Sequence, residues 1–114
     1  MTAPMKNLTI LGSTGSIGVS TLQIVESFPD AYRVVALTAG NNIDLLAQQV
    51  VKFRPQLVAV VSEQGAEQLR ERLNGHEVEI LCGIEGLIRC AVHAAADMVV
   101  AAIVGAAGLV QGDA

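Results

Sequence analysis

Short apolar runs alternate along this chain with longer stretches in which apolar residues return every three or four positions. That is the pattern of buried strands separated by amphipathic helices. Leu8 to Leu11 is the first run, and Val19, Leu22, Ile24 and Val25 then form the inward stripe of a helix from Ser16 to Phe28. Pro29 and Asp30 stop it, because proline lacks the N–H that a further turn needs. Arg33 to Thr38 reads as a second strand, and Ile43 to Phe53 as a second helix with an Asn as its N-cap and Pro55 beyond it. Leu57 to Val61 is a third strand; Ser62 caps a helix from Glu63 to Leu73, closed by Asn74 and Gly75. Val78 to Leu81, Ile84 to Ala95 and Met98 to Val104 complete the series as strand, helix and strand. The predicted order is βαβαβαβαβ with short loops and no linker, which implies an α/β fold: an open parallel sheet with right-handed crossovers and helices on both faces.

Composition narrows this picture. The 114 residues predict a single domain, 1–114, and with 52% hydrophobic but only 3% aromatic residues the core must be built from Val, Ile, Leu and Ala. Such a core suits parallel strands buried on both faces. A formal net charge of −4 with no basic stripe excludes nonspecific nucleic-acid or anionic-membrane binding, both of which need clustered Lys and Arg. The N-terminus carries no secretion signal, so a cytoplasmic location is expected. The longest apolar run, Met98 to Val110, is broken by Gly105 and Gly108 and falls short of the roughly 20 residues that span a bilayer. Cys82 and Cys90 lack C-x-x-C spacing, and neither His76 nor His93 stands at ligand distance from them in sequence. They read as reduced packing residues.

Chemistry concentrates where the first strand ends. LTILGSTGSIG places Gly12, Gly15 and Gly18 at every third position, with Ser13, Thr14 and Ser16 between them. A strand that empties into a glycine turn and restarts as a helix aims backbone N–H groups and the positive helix end at one point, where a diphosphate can sit. The fold expected is therefore Rossmann-like. The alternative is a strand-to-helix turn that uses glycine only for close packing. Two other strand ends are equally small: Ala39-Gly40-Asn41-Asn42, and Gly105 to Gly108, which also reads as a simple strand exit.

The second of these loops bears on cofactor choice. An NAD site places Asp or Glu about 20 residues after the glycines to accept from the ribose 2′-hydroxyl. Here that place holds Thr38, Ala39, Gly40 and Asn41, with no carboxylate to repel a 2′-phosphate, and Ser13, Asn41 and Asn42 as donors. NADP is favoured over NAD, although no Arg or Lys lies in the loop. Asp44 is assigned to the first turn of the following helix, where it complements the helix dipole.

GSTGSIG with Ser20-Thr21-Leu22 after it, RVVALTAGNN, and AAIVGAAGL from Ala101 to Leu109 together resemble the N-terminal domain of 1-deoxy-D-xylulose 5-phosphate reductoisomerase. The resemblance runs from about Lys6 to Leu109. It implies an NADPH-dependent oxidoreductase of non-mevalonate isoprenoid biosynthesis that makes 2-C-methyl-D-erythritol 4-phosphate with a Mg or Mn ion, as a homodimer. By the same resemblance, Thr14, Gly15, Ser16 and Ile17 belong to a diphosphate loop, and Gly40, Asn41 and Asn42 to an adenosine-phosphate loop. Many members carry Lys or Arg where this chain has Asn41. Ala102 and Ile103 match the strand end on the nicotinamide side. After GAAGL the chain ends Val110-Gln111-Gly112-Asp113-Ala114, unlike the family's usual continuation into the catalytic half, and Asp97 and Asp113 are isolated acids that cannot supply the converging oxygens Mg requires. The expectation is a fragment that seats NADPH, takes the sugar phosphate only with the missing domain, and has no turnover of its own. A free-standing nucleotide-binding regulatory module is the alternative. An uncovered apolar edge at Met98 to Val104 would favour self-association.

Overall fold

The structure, a computed structural model, describes residues 5–102. Five strands and four helices alternate: β1 (Lys6–Leu11), α1 (Ser16–Ser27), β2 (Tyr32–Ala39), α2 (Ile43–Phe53), β3 (Leu57–Val60), α3 (Glu63–Arg72), β4 (Glu79–Cys82), α4 (Gly83–Ala91) and β5 (Met98–Ala101). All strand pairs are parallel, in the order β4-β3-β2-β1-β5. The expected α/β architecture is therefore present. Of the fifth strand as predicted, Ala102 follows β5, while residues 103–104, the Gly105 to Gly108 loop and Asp113 lie outside the described residues.

The sheet has two unequal cores. Leu8, Ile10, Val34, Leu37, Val58 and Val60 pack with Leu22 and Val25 of α1, Leu46 and Val50 of α2, and Leu69 of α3. The opposite face holds Ala36, Leu57 and Ala59 against Cys90 of α4, with Leu81 and Leu87 alongside. Small residues there bring α4 close to the strands. A Cβ on Gly86 would lie 2.8 Å from the Leu81 Cβ and 3.4 Å from that of Ala59.

A bulge in β2 lets one strand serve the larger core over its whole length. Leu8 pairs with Val34, but Thr9 pairs with Ala36 and Ile10 with Leu37. The extra residue resets the alternation, so that Val34 and Leu37, an odd number apart, both face the side of Leu8 and Ile10. At the other end of β1, the Asn7 N–H donates to the Asp97 carboxylate at 2.8 Å, and the Asp97 N–H donates to the Asn7 carbonyl at 2.7 Å. Asp97 thus holds β5 in register.

Several details differ from expectation. Ile24 is 54% exposed and lies off the inward stripe of α1. Val78 precedes β4 rather than opening it. Helix α4 ends at Ala91 instead of Ala95, because the His93 Nδ1 accepts from the Ala95 N–H at 3.0 Å and turns the chain toward β5.

Candidate functional site at the carboxyl ends of the strands

The strand order reverses at β1. The chain leaves it for β2 on one side and returns through α4 to β5 on the other, and such a switch point opens a crevice beyond the strand ends. Leu11 pairs with both Thr38 and Ala101, so three carboxyl ends converge. Ala102, buried, follows β5 there; Ile103 lies outside the described residues.

The glycine turn divides into a fixed half and an open half. Gly12 adopts a left-handed conformation, φ 82°, where glycine has no Cβ penalty. Its N–H donates to the Thr38 carbonyl at 3.0 Å and to Oγ1 of Thr38 at 3.0 Å; the Ser13 N–H donates to the same carbonyl at 2.8 Å. Ser13 is fully buried, its hydroxyl donating to Oε1 of Gln49 at 2.7 Å while Nε2 of Gln49 donates to the Ser13 carbonyl at 2.9 Å. This corrects the expectation that Ser13 offers its hydroxyl to a phosphate: that hydroxyl is consumed in the fold.

The open half begins at Thr14, which is half-buried, and continues through Gly15, Ser16 and Ile17, all exposed. Gly15 is the N-cap of α1 with no side-chain cap, and the first turn carries no acid. The first helical bond is from the Val19 N–H to the Gly15 carbonyl, 2.9 Å. The amides of Ser16, Ile17 and Gly18 therefore lack an intrahelical acceptor, and no side chain among the described residues supplies one. Free amides at a helix start with no acid beside them suit an anion.

The second loop lies one strand away. Gly40 and Asn41 are exposed, while Asn42 caps α2 by accepting from the Leu45 N–H at 3.2 Å through its Oδ1. Only the Asn42 amide nitrogen is left to donate outward. A cleft of about 430 Å³ beside this loop is lined by Asn41, Asn42, Asp44, Gln68, Glu71 and Arg72. Arg72, at the end of α3, is ion-paired with Asp44. It is a cation near the loop that no local motif announces. Gln49 had one sequence signal, an amide set three residues after Leu46 in the apolar stripe of α2.

Elsewhere the described residues offer little reactive chemistry. Cys82 and Cys90 are free thiols, and burial pushes the Cys90 thiol up to about 11. No three His, Cys, Asp or Glu side chains among the described residues converge as a metal site. No described helix is long and apolar enough to cross a membrane.

Against this geometry, the model of the family described as 1-deoxy-D-xylulose 5-phosphate reductoisomerase matches residues 8–112. The chain belongs to that family. It is 63% identical over 106 residues to the reductoisomerase of Geotalea uraniireducens and 52% identical over 106 residues to that of Chlorobaculum tepidum. Each alignment covers 93% of this chain and 28% of the relative, so the chain spans little more than a quarter of their length. Among solved structures, a reductoisomerase in complex with NADPH, fosmidomycin and magnesium superposes with a TM-score of 0.84 at 44% identity, covering 92% of this chain and 26% of that one. The Zymomonas mobilis reductoisomerase in complex with NADPH gives 0.76 at 35% identity, covering 80% and 24%. The reductoisomerase fold over these residues is thus the parallel α/β sheet described above.

Proposed function

We propose that this chain is the NADPH-binding portion of a reductoisomerase that converts 1-deoxy-D-xylulose 5-phosphate to 2-C-methyl-D-erythritol 4-phosphate. The observation that carries the reading is the uncapped start of α1. Gly15 has an ordinary φ of −79°, and a Cβ there would meet only the Gly12 carbonyl oxygen at 3.7 Å. Nothing inside the fold requires glycine at this position; close approach of a ligand does. The related structures that hold NADPH support the same assignment.

In this reading the Ser16 and Ile17 amides and the Thr14 and Ser16 hydroxyls bind the diphosphate, with Gly15 leaving the approach open. Gly40, Asn41 and the amide nitrogen of Asn42 take the adenosine 2′-phosphate. NADPH supplies a hydride when bound; these residues bind and orient it. The chain spans little more than a quarter of its relatives' length, and the Mg or Mn ion, the sugar-phosphate site and turnover belong to the complete enzyme. Residues 1–114 act as one cofactor-binding domain within a cytoplasmic homodimer. Calorimetric titration with NADPH and separately with NADH tests the reading: tighter NADPH binding supports it, and no binding of either overturns it.

A further inference from the structure

We infer that Gln49 is a positioning residue for the cofactor loop, acting by turning the Thr14 N–H outward. The inference rests on the proposal that this loop binds the NADPH diphosphate. Gln49 lies in the middle of α2, 6% exposed, with Ser13 fully buried against it. Both hydrogen bonds between them are short, 2.7 Å from the Ser13 hydroxyl to Oε1 and 2.9 Å from Nε2 to the Ser13 carbonyl. Each partner satisfies the other, which removes the cost of burying two polar groups.

The carbonyl bond carries the consequence. In a trans peptide the C=O of one residue and the N–H of the next lie in one plane and point in opposite directions. Nε2 of Gln49 holds the Ser13 carbonyl toward α2, so the Thr14 N–H points away from α2. That N–H takes no hydrogen bond among the described residues, although it sits between a buried Ser13 and the open amides of α1. The preceding peptide is held just as firmly, by the Ser13 N–H on the Thr38 carbonyl at 2.8 Å. Thr38 and Gln49 flank the Gly40 to Asn42 loop in sequence, so the residues that shape one loop belong to the strand and helix that carry the other. Without Gln49 the Thr14 peptide is free to rotate, and the anion loses one preoriented donor.

The test uses Gln49→Met, which keeps the length and removes both bonds; Ser13→Ala, which removes only the hydroxyl bond; and Val50→Ala, a packing change next door on α2. NADPH affinity by calorimetry is read alongside the melting temperature and the Thr14 amide signal in nitrogen-15 NMR. Expected are a loss of about tenfold in affinity for Gln49→Met, a smaller loss for Ser13→Ala, and affinity within about twofold of the parent for Val50→Ala despite a lower melting temperature. The Thr14 amide signal should shift on NADPH addition in the parent and much less in Gln49→Met. Unchanged affinity in Gln49→Met, or losses in all three variants that merely track melting temperature, overturns the inference. Should Gln49→Met fail to fold, the parent decides: a Thr14 amide signal that does not move when NADPH binds overturns the inference. A parent protein that binds no NADPH defeats the functional proposal itself, a different result from a parent that binds and a variant that binds equally well.

Discussion

Gly18 in the first turn of α1 lies directly against the backbone of Gly12 in the preceding turn. A Cβ on Gly18 would sit inside the contact distance of the Gly12 carbonyl oxygen and only 2.6 Å from the Cα of Ser13. Both obstacles are main chain and cannot rotate away. Gly15, three residues earlier, meets nothing closer than 3.7 Å. The same motif thus holds one glycine that the fold needs and one that it does not.

These two positions should separate stability from binding. Gly18→Ala is expected to destabilise the protein by about 2–3 kcal/mol, the upper part of the range for forcing volume into a packed site. Gly15→Ala should change stability by less than about 1 kcal/mol, since glycine is only a moderate N-cap, yet weaken NADPH binding. Urea denaturation paired with calorimetric titration distinguishes them. Equal destabilisation by the two substitutions would contradict the packing geometry.

Asn42 and Asn41 should also diverge. The Asn42 side chain caps α2 through the Leu45 N–H, so Asn42→Ala should cost about 1 kcal/mol. Asn41 is exposed, and no hydrogen bond ties its side chain to the described residues. Asn41→Ala should leave unfolding within about 0.5 kcal/mol of the parent. Chemical denaturation of the two variants checks the difference.

Cys90 gives stability a dependence on alkaline pH. Its thiol ionises near 9.0 when unfolded and at about 11 in the fold, because burial disfavours the thiolate. Below about pH 8 both states hold the proton and the group contributes no pH dependence. As pH rises past 9 the unfolded chain loses the proton first, so stability falls by about 1.4 kcal/mol per pH unit and levels off beyond 11. The gap in unfolding free energy between the parent and Cys90→Ala, measured by denaturation at pH 7 and pH 10.5, should shift by about 2 kcal/mol in favour of the variant. A constant gap would mean that the thiol is not held protonated.

Much of this was legible along the chain because apolar periodicity is strong: the five strands and four helices lie where the pattern places them. The β2 bulge was not legible, since Val35 and Ala36 read as ordinary members of an apolar run and only pairing with β1 reveals the extra residue. The early end of α4 depends on a His93 side chain meeting a backbone N–H, which the continuing Ala-rich sequence conceals. The glycine motif pointed to the site, yet the separate reasons for Gly12, Gly15 and Gly18 required the turn itself. Ser13 shows the limit most clearly. A hydroxyl in a phosphate motif reads as a ligand donor, while its partner Gln49 is supplied by another helix.

The charges around Asn41 argue the coenzyme preference. The adjoining cleft carries Asp44 and Glu71 against Arg72, with Asp44 and Arg72 already paired. One carboxylate therefore stands uncompensated among these lining groups, and it opposes a 2′-phosphate. Asn41→Arg should offset that charge and supply a charge-assisted donor pair. The ratio of NADPH to NADH affinity should rise about tenfold, equivalent to roughly 1.4 kcal/mol. Glu71→Gln should move the ratio the same way by less, and Asn41→Asp should reverse it by repelling the phosphate and accepting from a free ribose hydroxyl. Titration of each variant with both coenzymes measures the ratio. If it stays constant across all three, the 2′-phosphate does not lie at this loop, and the assignment of Gly40, Asn41 and Asn42 fails while that of the α1 amides stands.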